Sequence, residues 1–180
     1  MPSSAAERHA APAGAGTLCS ANAPCSLPQA LNGAVADDEV VVHAGVHAIE
    51  SAGGPGTHDV DVHGAAGEPR PEVRILSDTA CGIAVGSGSR VAGLRVRPWV
   101  ATAAAVCAQG DAIVEQLAID SEQSQTKGVQ LVVADGAIVR SVSIHLPSNG
   151  SVGIVAGGVR IVARDGAGNA AAAMRLSIRR

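Results

Sequence analysis

Residues 82–96 read GIAVGSGSRVAGLRV, two short apolar runs on either side of a Gly-Ser-Gly-Ser break. Two such runs around a turn-forming tetrad are the ordinary signature of a β-hairpin. Whether they pair with each other, or each with a copy of itself elsewhere, decides the fold. Copies exist: AVCAQGDAIVEQLAI at 105–119 and LVVADGAIVRSVSI at 131–144 have the same internal spacing. Strand side chains alternate between faces, so an inward pair is written with one residue between its members. The first set is Val40/Val42, Val60/Val62, Ile83/Val85, Val106/Ala108, Leu131/Val133, Ile154/Ala156 and Met174/Leu176, with starts 20, 23, 23, 25, 23 and 20 residues apart. The second is Val73/Ile75, Leu94/Val96, Leu117/Ile119 and Val142/Ile144, at intervals of 21, 23 and 25. A third apolar position, Val91, Val114 and Val139, follows the first pair by eight residues each time.

Independent strands would not keep three positions in one register. A period of 20–25 residues with two or three short strands per repeat predicts an all-β parallel solenoid of about six coils. Each strand then pairs with its copy one coil away, at about 4.8 Å. The Gly-Ser-Gly-Ser break becomes a corner of a coil, and Gly, Ser, Asp and Asn recur where corners need unusual backbone angles. Residues 1–18 read as a flexible leader and 19–180 as the solenoid. Within the latter, Ser26 and Gln29 have capping-box spacing and Pro28 lies in the first turn. They predict a short helix over about 27–35 that caps the first coil and hides its open edge. No comparable cap follows Met174/Leu176, so the solenoid is expected to be incomplete at its C-terminal end, with further coils or a partner covering it.

Composition agrees with thin stacked layers. Trp99 is the only aromatic among Phe, Tyr and Trp, and hydrophobic residues make up 47% of the chain, so the core must be built from Val, Ile, Leu and Ala. No apolar run approaches the roughly 20 residues of a membrane helix. The net charge of −3 gives no basic footprint for nucleic acid. Cys19 and Cys25 lie close in a Ser/Pro/Ala-rich segment and predict a local disulfide, hence an oxidising compartment. No secretory signal peptide is visible in residues 1–18. Cys81 stacks on Ala104 rather than on Cys107, three residues out of register and on the opposite face. That predicts no bond between Cys81 and Cys107.

The coils GIAVGSGSRVAGLRV, AVCAQGDAIVEQLAI and LVVADGAIVRSVSI, with the Cys-containing lead and helix in CSLPQALNGAVADDEVVVHAG, resemble the right-handed parallel β-helix (pectate-lyase-like) repeat proteins of bacterial secreted and surface type. The resemblance covers about 19–178. It implies an extracellular or cell-surface location, and a fold that carries lyases, hydrolases, adhesins and inert spacers alike. Enzymes of this kind display acids on an outward strand face, lyases often with Ca²⁺ and an Arg or Lys base. The outward positions of the first set here are Val41, Asp61, Ala84, Cys107, Val132, Val155 and Arg175, with one acid among them. The expectation is therefore a non-catalytic scaffold or binding segment, for carbohydrate or a protein partner, without a cofactor. The alternative is a fragment of a polysaccharide lyase or glycoside hydrolase.

Three constellations survive the stacking arithmetic. Arg97, Asp120 and His145 follow the second strand at the repeat interval and form an outward column; Asp120 would orient His145 as a base, with Arg97 holding an anion. As a ladder of neutralising surface charges the same column does nothing chemical. Trp99 stacks with Glu122, so Trp99, Arg97, Asp120 and Glu122 make the best ligand surface, with the indole as a platform for a sugar. Finally, His43 is expected to stack on His63 and Asp38 on His58, with His47 near. That histidine group is the weak candidate for Zn²⁺ or Cu²⁺, although no tight ligand motif accompanies it.

Overall fold

The computed structural model describes residues 5–50, 59–77, 81–99, 104–120, 129–133, 136–145, 152–156 and 160–162; beyond residue 120 only 136–144 are described to their side chains. The chain runs β1 (Glu7–Ala10), α1 (Leu27–Asn32), β2 (Asp38–Val42), β3 (Val46–Ile49), β4 (Val60–Gly64), β5 (Glu72–Ile75) and β6 (Cys81–Val85). It continues as β7 (Arg90–Ala92), β8 (Arg95–Pro98), β9 (Ala104–Ala108), β10 (Ile113–Glu115), β11 (Ala118–Asp120) and β12 (Val129–Val133). The last strands are β13 (Ile138–Arg140), β14 (Ser143–His145), β15 (Val152–Ala156) and β16 (Arg160–Val162). Three sheets result: β1-β2-β4-β7-β10-β13-β16, β14-β11-β8-β5-β3 and β15-β12-β9-β6. Each paired strand runs parallel to its neighbour, for instance Val91 beside Val114, Val96 beside Ile119 and Ile83 beside Val106. From β6 to β15 the chain winds through three turns. The fold is an all-β parallel solenoid of about three turns with almost no helix; the expected six coils are not established.

The stretch that opened the question holds three strands, not two. β6 ends at Val85, Gly86–Ser89 turns the corner with Gly88 at φ 81°, and Val91 is the centre of a strand of its own. A second corner follows at once. Gly93, Gln116 and Ser141, at φ 69°, 53° and 54°, each supply one left-handed residue between strands of the first and second sheets. A left-handed backbone at one residue redirects the chain sharply, and Gly bears it without steric cost. Inside, columns of Val40, Val62, Val91, Val114 and Val139, and of Val73, Val96 and Ile119, are buried to 1% exposure or less. Such columns let one apolar side chain pack on the next along the axis, which a single coil could not do.

α1 begins where the capping residues placed it. Ser26 Oγ accepts a hydrogen bond from Gln29 N at 3.4 Å, and Leu27, Ala30 and Leu31 are buried. It ends at Asn32, shorter than expected, because Gly33 closes it with its N–H on Gln29 O at 3.1 Å. The helix packs against β1, β2 and β3.

Four expectations change. β1, inside the segment taken as a leader, is the first rung of the first sheet, with Arg8 beside Val40 and Ala10 beside Val42. Val40/Val42 and Val60/Val62 do not share a column with Ile83/Val85. They belong with Val91, Val114 and Val139, because β4 pairs with β7 while β6 starts a third sheet. The registers there also slip by two residues, Val40 lying beside Val62 and Val73 beside Val96. His63 consequently lies beside Val41 and not over His43, and Asp38 lies beside Val60; His58 is outside the described residues, as is Met174/Leu176. Lastly, Cys81 and Cys107 are bonded, with Cα atoms 5.9 Å apart, although Cys81 does pair with Ala104 as expected. Strict alternation fails here: Gly82 and Ile83 are both buried, as are Ala104, Ala105 and Val106, so both cysteines end on the half-exposed face.

Candidate functional site

Two outer faces carry the chemistry. On the first sheet, register sets Asp61 beside Arg90, and Glu115 between Ala92 and Arg140. Arg90 donates to Glu115 Oε1 at 2.7 Å and reaches Asp61 Oδ2 at 3.3 Å, while Arg140 Nε bonds the other Glu115 oxygen. Asp61, Arg90, Glu115 and Arg140 thus form a ladder of alternating charge over four coils. Beside it, His63 bonds Glu39 at 2.5 Å and the carbonyl of Gly64 at 2.9 Å. Burial pushes the His63 imidazolium down, but these hydrogen bonds and the charges of Asp61 and Glu39 outweigh it, and its pKa is raised. For Glu115, burial pushes the carboxyl up, and the two guanidinium groups overcome this and hold it below the usual carboxylate range.

The Glu115 shift fixes a pH dependence. A carboxylate with a depressed folded pKa contributes stability that is present above its unfolded value, about 4.3, and is lost as pH falls through the folded value. Glu115→Gln should therefore be less stable at neutral pH and lose less on acidification below about pH 4.3 than the parent. Urea titrations across that range check both.

On the second sheet, Glu72 bonds Arg74 at 2.6 Å and meets Arg97 at 3.4 Å; Asp120 meets Arg95 at 3.3 Å and Arg97 at 3.9 Å. Asp120 also pairs along the backbone with His145. The expected Arg97–Asp120–His145 column is thus present in register, and its arginine and aspartate form one network with Glu72. The His145 side chain and Glu122 lie outside the described residues. Trp99 is 41% exposed, with the Arg74 guanidinium carbon 5.5 Å from its ring centroid. Leu76, 40% exposed, lies beside it, since Ile75 pairs with Pro98. Trp99, Leu76 and Arg74 make an apolar strip with a cation at its flank.

The histidines group differently from the expectation. His43 meets His9 on β1, with His9 Nδ1 and His43 Nε2 3.0 Å apart. His47 is buried and donates from Nε2 to His43 O at 2.8 Å; burial lowers its pKa, which holds the ring neutral. His9 was missed because its segment read as a leader. The Asp61–Arg90–Glu115–Arg140 ladder was missed because Asp61 was placed in the wrong column. The signal that could have found it is the shared x-Val-x triplet around Val91, Val114 and Val139, whose flanking residues supply Arg90, Glu115 and Arg140.

Cys19 and Cys25 are bonded as expected, with Cα atoms 4.6 Å apart. Two disulfides in the structure are consistent with an oxidising, extracellular location. Among the described residues no helix is long and apolar enough to cross a membrane. No protein-family model, curated protein or solved structure matches the chain. Its class is defined by its fold, a parallel β-solenoid stapled by two disulfides, with charge ladders on two outer faces.

Proposed function

We propose that this chain is a non-catalytic scaffold and binding segment, extracellular or on a cell surface, whose ligand is a carbohydrate or a protein held against the Trp99 strip. One observation carries this reading. Asp61, Glu72, Glu115 and Asp120 each sit in an ion pair with arginine across neighbouring coils, whereas Trp99 stands exposed with Leu76 beside it. Carboxylates locked in ion pairs serve the stack. An exposed indole on a rigid strand end suits an apolar sugar face or a partner side chain. On this reading α1 caps the solenoid and the coils number six. The kinship is with bacterial secreted β-helix proteins of pectate-lyase-like type.

A polysaccharide array probed with the intact chain tests it. Binding should appear on a subset of glycans, and Trp99→Ala should weaken it by about 2 kcal/mol, roughly thirtyfold. Release of unsaturated sugars or reducing ends from any bound polymer would overturn the non-catalytic reading and favour a lyase or hydrolase fragment.

A further inference from the structure

His47 pairs with Val73 on β5, which places it at the end of the buried column of Val73, Val96 and Ile119. It is 2% exposed, an ionisable ring closing a column of aliphatic side chains. Nε2 donates to His43 O at 2.8 Å, while Nδ1 is sealed from solvent and meets no hydrogen-bond partner among the described residues. This environment suits a neutral ring, with its proton on Nε2 and a lone pair on Nδ1. A second proton would put a charge and an unmet donor inside the column, and a buried charge without a partner is costly.

The groups around His47 do not offset that cost. The His43 ring shares a hydrogen bond with His9, Nε2 to Nδ1 at 3.0 Å, and gives Nδ1 to Glu68 at 2.8 Å. The other Glu68 oxygen accepts from Ala44 N at 2.7 Å, so that carboxylate is already engaged. From β1, Arg8 Nε donates to Ala30 O at 3.1 Å. α1, which packs on β3, carries no charged side chain. From β5, Glu72 and Arg74 flank Val73 and pair with each other at 2.6 Å. Glu50, directly after β3, is exposed. Among the described residues no group of three or more His, Cys, Asp or Glu side chains is placed to hold a metal. The proton is the cation to which this ring answers.

β3 is also the strand best placed to leave. It is the last strand of the second sheet, bonded to β5 alone. Backbone bonds from Glu72 N to Gly45 O and from Leu76 N to Ile49 O, each 2.8 Å, close the two ends of that pairing. We propose that His47 is an acid-sensitive latch: proton uptake by its ring releases β3, and α1 with it, from the end of the solenoid and bares the edge of β5. Burial is the main cause that lowers the His47 pKa, repulsion from His43 adds to it, and the bond to His43 O opposes it. A lowered pKa means that His47 contributes stability in full above its unfolded value, about 6.5, and loses it as pH falls below that value. His63 has the opposite sign. Its pKa is raised, so its contact with Glu39, which holds β4 to β2, is strengthened in acid and weakened as pH rises. Acid therefore loosens β3 while it tightens the next coil, which confines the opening to the end of the stack.

Native-state amide hydrogen exchange of the intact, disulfide-bonded chain tests the latch. Corrected for intrinsic exchange, protection at Glu72 N and Leu76 N should fall about five- to thirtyfold from about pH 7.5 to about pH 5, thirtyfold being roughly the ceiling for one proton taken up at a reference pKa of 6.5. Ile113 N and Ala118 N, bonded across later coils, should change less than twofold, by about the same reasoning without a titrating ring. His47→Gln keeps a donor but takes no proton, and should abolish the fall; His63→Gln should not. If His47→Gln fails to fold, the parent's own ring decides: its nitrogen shifts should place the proton on Nε2 and titrate below about 6.5. A His47 titration at or above that value would overturn the latch. So would unchanged protection at Glu72 and Leu76, an equal fall at Ala118, or the same fall in a folded His47→Gln chain.

Discussion

Ile119→Ala should lower the free energy of unfolding by about 2–5 kcal/mol. Ile119 is fully buried on β11, paired with Val96 on one side and Ile144 on the other. Truncation removes transfer free energy and leaves a hole that both neighbouring coils border. Their strands are held in parallel register on either side, so they cannot close around it freely, which puts the cost toward the upper part of that range. The aromatic-poor composition sharpens the effect. With Trp99 on the surface, the core has no large ring to swing into the void. Denaturant unfolding of the parent and variant, at equal slope, measures the difference. A loss below about 0.5 kcal/mol, the range of ordinary surface substitutions, would mean that Ile119 is not inside a packed stack.

Removing the Cys81–Cys107 bond is the second large effect. Bond formation ties residues 26 apart, from β6 to β9, in adjacent coils. Chain-entropy arguments give about 3.5 kcal/mol for a loop of that length, against about 2 kcal/mol for the six-residue Cys19–Cys25 loop. Cys81→Ala with Cys107→Ala should therefore destabilise the chain more than Cys19→Ala with Cys25→Ala. The two pairs also act in different places. One staples neighbouring coils of the third sheet; the other tightens the segment leading into α1. Non-reducing peptide mapping should yield a fragment joining Cys81 to Cys107. Recovery of both as free thiols from the oxidised protein would contradict the pairing.

What could be read from the residues, and what could not, follows from the physics of a stack. The columns from Ile83 onward were legible because the repeat of 23 and 25 residues is kept by three apolar positions at once, and only parallel stacking keeps them so. Before Ile83 the same rule misled. Val40/Val42 and Val60/Val62 are alternating β-branched pairs like any others, and nothing in their composition says which of three sheets they enter. The sequence interval suggested a register of 20; the backbone adopts 22. A two-residue slip keeps every side chain on its own face, so the apolar pattern cannot detect it. It does change which outward groups meet, and that moved His63 away from His43.

The candidate site was legible in part for the same reason. Arg97 and Asp120 lie in the well-phased coils and meet as expected; the neighbour expected for Trp99, Glu122, lies outside the described residues, and Trp99 instead has Arg74 over its ring. His9 lies in a stretch rich in Ala, Gly and Pro, and its strand exists because Ala10 and its neighbours bond to Cys19, Cys25 and β2. Those are tertiary bonds that local propensity does not report. Cys81 was assigned to the wrong face because alternation was assumed across Gly82, whereas Gly82 and Ile83 are both buried and Cys81 is not.

Scalar couplings across backbone hydrogen bonds test the stacking most directly. Isotope-labelled protein should show coupling from Ala118 N to the Leu94 carbonyl, from Ile113 N to the Ser89 carbonyl and from Ser143 N to the Leu117 carbonyl, bonds of 3.0, 2.8 and 2.9 Å. Couplings instead between residues 83–85 and 94–96, in the antiparallel pattern of a hairpin around Gly86–Ser89, would contradict the solenoid.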